Sequence, residues 1–120
     1  TERVAQEIEG VPRFSKVSFG CFGVPEFAHA VSASGRKQLL VVGIEAHVCV
    51  MQTVLAGVES GYEVYVARDA IGSRFVSDCD AGIARMNAHG AEIVTTEMAI
   101  FEILRAAGTP EFKKVLPLLK

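Results

Sequence analysis

Cys49 stands next to last in the stretch Leu39-Leu40-Val41-Val42-Gly43-Ile44-Glu45-Ala46-His47-Val48-Cys49-Val50. An apolar run ends in glycine, a short polar turn follows, and a cysteine opens a helical pattern. That order places a thiol where a strand hands over to a helix N-terminus. Unpaired N–H groups and the helix dipole there favour the thiolate, the reactive form of cysteine. Cys49 has two readings: a nucleophile that forms a covalent acyl or alkyl intermediate, or a small hydrophobe in the first turn of a helix. Lys16 stands at the end of a short extended piece, just before the aromatic loop Phe19-Gly20-Cys21-Phe22-Gly23. A lysine near a thiol lowers its pKa by stabilising the anion, although most lysines are simply solvated.

The other chemistry-bearing residues are weaker candidates. Cys21 lies in a loop with no helix dipole to favour its thiolate, so it reads as a pocket wall or spectator. Cys79 falls on the apolar face of a helix and reads as core. His47 is two residues from Cys49, and side chains two apart in a helix do not face each other, so a general-base role there is weak. A His-X-Cys metal pair at the same place lacks further ligands nearby. Phe19, Phe22 and His47 are the candidate substrate-pocket residues. His29 and His89 read as helix-surface or helix-end residues. Asp69 reads as a base, a metal ligand or, more simply, a residue that shapes its loop through backbone hydrogen bonds. No GxGxxG, Walker A or zinc spacing occurs, and neither cofactor nor metal is expected.

Helices and strands must position these groups. Helical spacing of Val4, Ala5 and Ile8 predicts a helix over residues 1–9. Pro25 suits the first turn of a helix running to about residue 32. Residues 38–42 are apolar on both sides, as in a central parallel strand covered on both faces. Met51, Val54, Leu55 and Val58 mark a helix over 48–60, and residues 62–67 a second strand. A loop is expected at 69–73 with Ser73 as N-cap. A helix carrying Phe75, Cys79, Ile83 and Met86 on one face follows, then a third strand at 91–95. Thr96 is the expected cap of the next helix, and Thr109-Pro110-Glu111 opens the last. Alternating strands and helices imply an α/β three-layer fold with a mostly parallel sheet, whose ligands sit beyond the carboxyl ends of the strands.

The chain has 120 residues, half of them apolar and 22% charged, with net charge −2. That composition fits one ordered domain without an electrostatic footprint for nucleic acid or membrane phosphates. Three widely spaced cysteines suggest neither a disulfide framework nor a CxxC metal site, and a reducing cytoplasm is expected. No segment reaches the ~20 apolar residues of a membrane span.

Three segments together resemble the isochorismatase-like hydrolase superfamily, in particular its cysteine-hydrolase branch and the isochorismatase domain-containing proteins. Lys16-Val17-Ser18-Phe19-Gly20-Cys21-Phe22 resembles the family's lysine and aromatic turn. Val42-Gly43-Ile44-Glu45-Ala46-His47-Val48-Cys49-Val50 resembles its nucleophile motif, G-[IV]-x-[TA]-x-x-C-[VI]. Gly61-Tyr62-Glu63-Val64-Tyr65-Val66-Ala67-Arg68-Asp69-Ala70, with Ser73-Arg74, resembles the strand and loop that follow. The resemblance implies a Rossmann-like fold, Cys49 as nucleophile and Lys16 as the cation that favours its thiolate. It implies a strained, often cis, peptide at Ile44–Glu45, an oxyanion hole from the backbone N–H groups of Glu45 and Cys49, and Phe19 as an aromatic pocket wall. The family's third catalytic residue is an aspartate in a D-x-Q segment after the first strand, and nothing before Lys16 matches it. Residues 1–120 are therefore expected to be the C-terminal portion of a single domain lacking its first strand or strands.

The function expected from this reading is cysteine-dependent hydrolysis of a small amide or related C–N bond. The expected partners are a small-molecule substrate and either further copies of the chain or the missing N-terminal segment. The alternatives are a non-catalytic binding or oligomerisation domain that retains the pocket, and a redox-sensing thiol.

Overall fold

The computed structural model describes residues 2–119. Three parallel strands form one sheet in the order β1 (Gln38–Ile44), β2 (Glu63–Gly72), β3 (Glu92–Val94). Helices α1 (Glu2–Glu7) and α2 (Pro25–Ala33) precede the sheet, with a 3-10 turn at Cys21–Gly23 between them. A π turn (Ala46–Val50) and α3 (Met51–Glu59) join β1 to β2, and α4 (Val76–Ala88) joins β2 to β3. Helices α5 (Thr96–Leu104) and α6 (Pro110–Val115) and a 3-10 turn (Leu116–Leu119) follow. Thr1, where the first predicted helix was to begin, lies outside the described residues.

The period-two alternation of β2 sorts its side chains between two helical layers. Val64 and Val66 join Val50, Val54, Met86 and Ala91 in the buried core beneath α3 and α4. Tyr65 points to the other face, where Leu40, Tyr65 and Val94 share a cavity of about 380 Å³ with Ala99 and Ile103 of α5. The three-layer α/β expectation holds. Val54, Val66 and Met86 are the largest fully buried side chains, each contributing roughly 1.5–3 kcal/mol by leaving water.

The sheet departs from expectation at β1. This strand is an edge, not a centre, because β2 is its only neighbour among the described residues. Leu39 and Val41 pack against the core, whereas Leu40, Val42 and Ile44 are 48%, 56% and 77% exposed. The apolar run was read as covered on both faces, but on this face Leu40 borders only the cavity beside α5, and Val42 and Ile44 are exposed.

β2 also runs on through the expected loop at 69–73. Its pairing with β1 passes from Val41↔Val66 to Gly43↔Ile71 and Ile44↔Gly72, so extra residues bulge from β2 before pairing resumes. Gly43 takes φ +124° beside this irregularity, a conformation that suits a residue without a Cβ. The helix after β2 begins at Val76. Phe75 is therefore its extended N-cap residue and largely exposed, rather than a member of the buried face. Ser73 does not cap that helix. At α5 the cap is Thr95, whose hydroxyl accepts from the Met98 N–H, one residue before the expected Thr96. The Thr109 cap of α6 is as expected, with its hydroxyl accepting from the Phe112 N–H.

Candidate active site

The carboxyl end of β1 leads directly into the Cys49 turn. The Ile44–Glu45 peptide is cis. The Glu45 carbonyl then accepts from the N–H groups of Val48 and Val50, both at 3.1 Å, and the Ala46 carbonyl accepts from Met51. The bonds to Val50 and Met51 span five residues, so Cys49 sits in a π turn rather than the first turn of an α-helix. Such turns often mark functional positions, because one extra residue re-aims the side chains. Ala46 and Val50 are buried and face the core, while Cys49 is half-buried and unpaired.

Two side-chain clusters hold this turn. The Glu45 carboxylate accepts from both the backbone N–H and the Nε of Arg74, at 3.2 and 3.1 Å through the same oxygen. These donors, the backbone N–H foremost, hold the Glu45 carboxyl below its ordinary pKa. The His47 Nδ1 lies 2.8 Å from Ser73 Oγ, and its Nε2 lies 3.9 Å from the Asp78 carboxylate. Together the two clusters tie the β2–α4 connection to the Cys49 turn. Helix α4 comes close enough that a Cβ on Gly82 would stand 2.9 Å from His47 Cα and 3.2 Å from the Ala46 carbonyl oxygen.

The aromatic loop meets the same turn from the other side. The Lys16 ammonium donates to the carbonyl oxygens of Ser18 and Phe19 at 3.0 and 2.7 Å, closing the loop on itself. The Cys21 N–H donates to Thr53 Oγ at 3.0 Å, and the Thr53 hydroxyl donates to the Cys49 carbonyl at 2.7 Å. Phe19 is 60% exposed. Phe22 packs edge-on against Phe27 and beside Tyr62, and with Cys21 and Thr53 it lines an open groove along β1. Phe19 and Phe22 thus lie on one loop but in different surroundings.

Asp69 serves the fold. Its Oδ1 accepts from the Thr96 N–H at 2.7 Å and from the Thr96 hydroxyl at 3.0 Å, and these donors hold its carboxyl below the ordinary value. Cys79 is half-buried on α4 and His29 is exposed on α2. His89 ends α4, with Nδ1 at 2.8 Å from the Arg85 carbonyl oxygen. Among the described residues no three His, Cys, Asp or Glu side chains gather as a metal site.

The isochorismatase domain family matches residues 2–98. The chain belongs to this hydrolase-like family. A secreted isochorismatase effector, Isc1, of Phytophthora sojae is 36% identical over 98% of the chain and 58% of its own length. The structure of the MAR1 ribonuclease of Caenorhabditis elegans superimposes with TM-score 0.84 at 34% identity, over 92% of the chain and 56% of that protein. The YcaC product of Escherichia coli, described as an octameric hydrolase of unknown specificity, gives 0.79 at 27% identity, over 87% and 52%. The chain therefore spans little more than half the length of these isochorismatase-family relatives.

Thr53, the Glu45 side chain and Asp78 were not singled out from the sequence. Thr53 lies four residues after Cys49, where a threonine hydroxyl commonly bonds back to the i−4 carbonyl, so half of its role had a local signal. Its partner Cys21 is remote in sequence. Arg74 carried a signal only as part of the family motif, and Ser73 was otherwise read as a helix cap.

Proposed function

We propose that this chain is the C-terminal portion of a cysteine-dependent hydrolase acting on a small amide or related C–N bond. Cys49 carries the reading. It lies in a π turn at the carboxyl end of a parallel strand, where family members and α/β sheets in general present their ligands. In this scheme the Cys49 thiolate attacks the substrate carbonyl and forms a C–S bond. The backbone N–H groups of Glu45 and Cys49 receive the oxyanion, a donor pair of a kind that contributes about 2.7–4 kcal/mol per donor. The C–N bond breaks, and the amine leaves with the proton first taken from the thiol. Water then cleaves the thioester and restores the thiol. The proton carrier is an aspartate outside this chain, supplied by a preceding segment or by another polypeptide. Lys16 favours the thiolate from the aromatic loop, and Phe19, Phe22 and His47 border the substrate. A net charge of −2 supports a small, weakly charged substrate over a polyanion such as RNA. Three free cysteines support a reducing, cytoplasmic setting.

Iodoacetamide labelling at pH 7, mapped by peptide mass, tests this reading. Cys49 is expected to react at least roughly tenfold faster than Cys21 and Cys79, as befits a nucleophile presented at a strand-to-helix turn. Equal labelling of all three overturns the assignment, as does any amide substrate whose turnover survives Cys49→Ala.

A second reading is favoured by the exposed Leu40, Val42 and Ile44. In it the chain is an assembly domain that retains the pocket without the chemistry. It predicts stable association together with an ordinary, unreactive Cys49.

A further inference from the structure

Among the described residues Thr53 is the one buried polar side chain, 8% exposed within an otherwise apolar core. Its hydroxyl is used in both directions. The Cys21 amide can only donate and the Cys49 carbonyl can only accept, so the single hydroxyl proton goes to Cys49, and a lone pair receives the Cys21 N–H. Among the described residues Thr53 is the one side chain that hydrogen-bonds both the backbone of Cys49 and the backbone of the aromatic loop.

That loop is a closed unit. Lys16 is tied to Ser18 and Phe19, and the Ser18 hydroxyl to the Gly20 carbonyl at 3.0 Å. The turn at Gly20–Val24 closes through backbone bonds of its own. Among the described residues the hydrogen bond from Cys21 to Thr53 is the one that fastens this unit to α3. Gly20 lies flat on the helix there, and a Cβ on it would stand 3.3 Å from the Gln52 Cβ. One hydroxyl therefore hydrogen-bonds the loop that bears Lys16 to the backbone of Cys49, beside the packing of Gly20 on Gln52 and of Phe22 on Tyr62.

We infer that Thr53 is a positioning residue for the Cys49 reaction, locking the loop that bears Lys16 to the backbone of the nucleophile. The inference rests on the reading of Cys49 as nucleophile and Lys16 as its cation. The titratable side chains bonded or paired at the turn are His47, Glu45 with Arg74, and Asp78, and the elements packed against it also carry Cys79, Asp80 and Arg85 on α4, Glu59 on α3, and Glu63, Tyr65, Arg68 and Asp69 on β2. None of these side chains hydrogen-bonds Thr53, so changing it leaves their hydrogen bonds in place.

The test is the pH dependence of Cys49 alkylation by iodoacetamide in the full chain, with Thr53→Val, Thr53→Ser, Lys16→Gln and the Lys16→Gln/Thr53→Val pair. Valine keeps the volume and loses both hydrogen bonds, whereas serine keeps both. The midpoint in Thr53→Val is expected to rise by about one pH unit, slowing the reaction below it roughly tenfold. Thr53→Ser restores the parental profile, and the pair behaves as Lys16→Gln alone. A merely structural Thr53 lowers thermal stability and leaves the midpoint where it was, and that result overturns the inference. So does a shift that adds to that of Lys16→Gln. Should Lys16→Gln leave the midpoint unmoved, the role of Lys16 itself fails, whatever Thr53→Val does. If Thr53→Val does not fold, as judged by circular dichroism, Thr53→Ala decides between the same outcomes.

Discussion

Asp69 stands at the edge where acids are first suspected of catalysis, and its two hydrogen bonds to Thr96 give it different work. It holds the start of α5 against β2. Because those donors prefer the carboxylate, the folded chain keeps Asp69 ionised to lower pH than the unfolded chain does. Its stabilising effect is thus complete above the ordinary aspartate value of 3.8 and fades as pH falls through the lowered folded value. Asp69→Ala is expected to lower the thermal midpoint at pH 7, and the gap from the parent should close in strong acid. Thermal unfolding followed at both pH values checks this. A gap that persists in acid assigns the loss to packing instead of charge. Glu45 obeys the same sign, so the clamp on Arg74 should also loosen below the ordinary glutamate range.

At the scale of elements, the approach of α4 to the π turn decides where Cys49 sits. Gly82 is buried against the backbone of Ala46 and His47, and the backbone there has little freedom to yield. Gly82→Ala is expected to cost about 1–3 kcal/mol, the usual range for overpacking, measurable by urea unfolding. It should also slow Cys49 alkylation in the molecules that remain folded, since the added methyl pushes on the turn itself. Helices α2 to α6 were legible in the sequence because apolar spacing and proline or threonine starts are local signals. The π turn was not, since its first residues read like any helix opening, and only the bonds from Val50 to Glu45 and from Met51 to Ala46 separate the two. The extension of β2 past Asp69 was hidden for a related reason. Ile71 and Gly72 are strand residues because Gly43 and Ile44 lie beside them. Cys49, Lys16 and the cis junction were readable through the family motif. The Thr53 link joins positions 32 apart in sequence, and no periodicity reports such a bond.

For the molecule as a whole, the outer side of β1 is the feature without an internal answer. An unpaired strand edge bearing exposed apolar side chains invites pairing with another chain. The parent is expected to self-associate with rising concentration in sedimentation velocity, and Val42→Lys with Ile44→Lys is expected to shift it towards monomer. Unchanged sedimentation would place the contact elsewhere. The same strand ends at Ile44, directly before Glu45 and the Cys49 turn. On the proposed function, whatever seats itself along that margin also walls the space in front of Cys49. Labelling of that thiol should then slow as the chain is concentrated, which makes crowding a gate on its access.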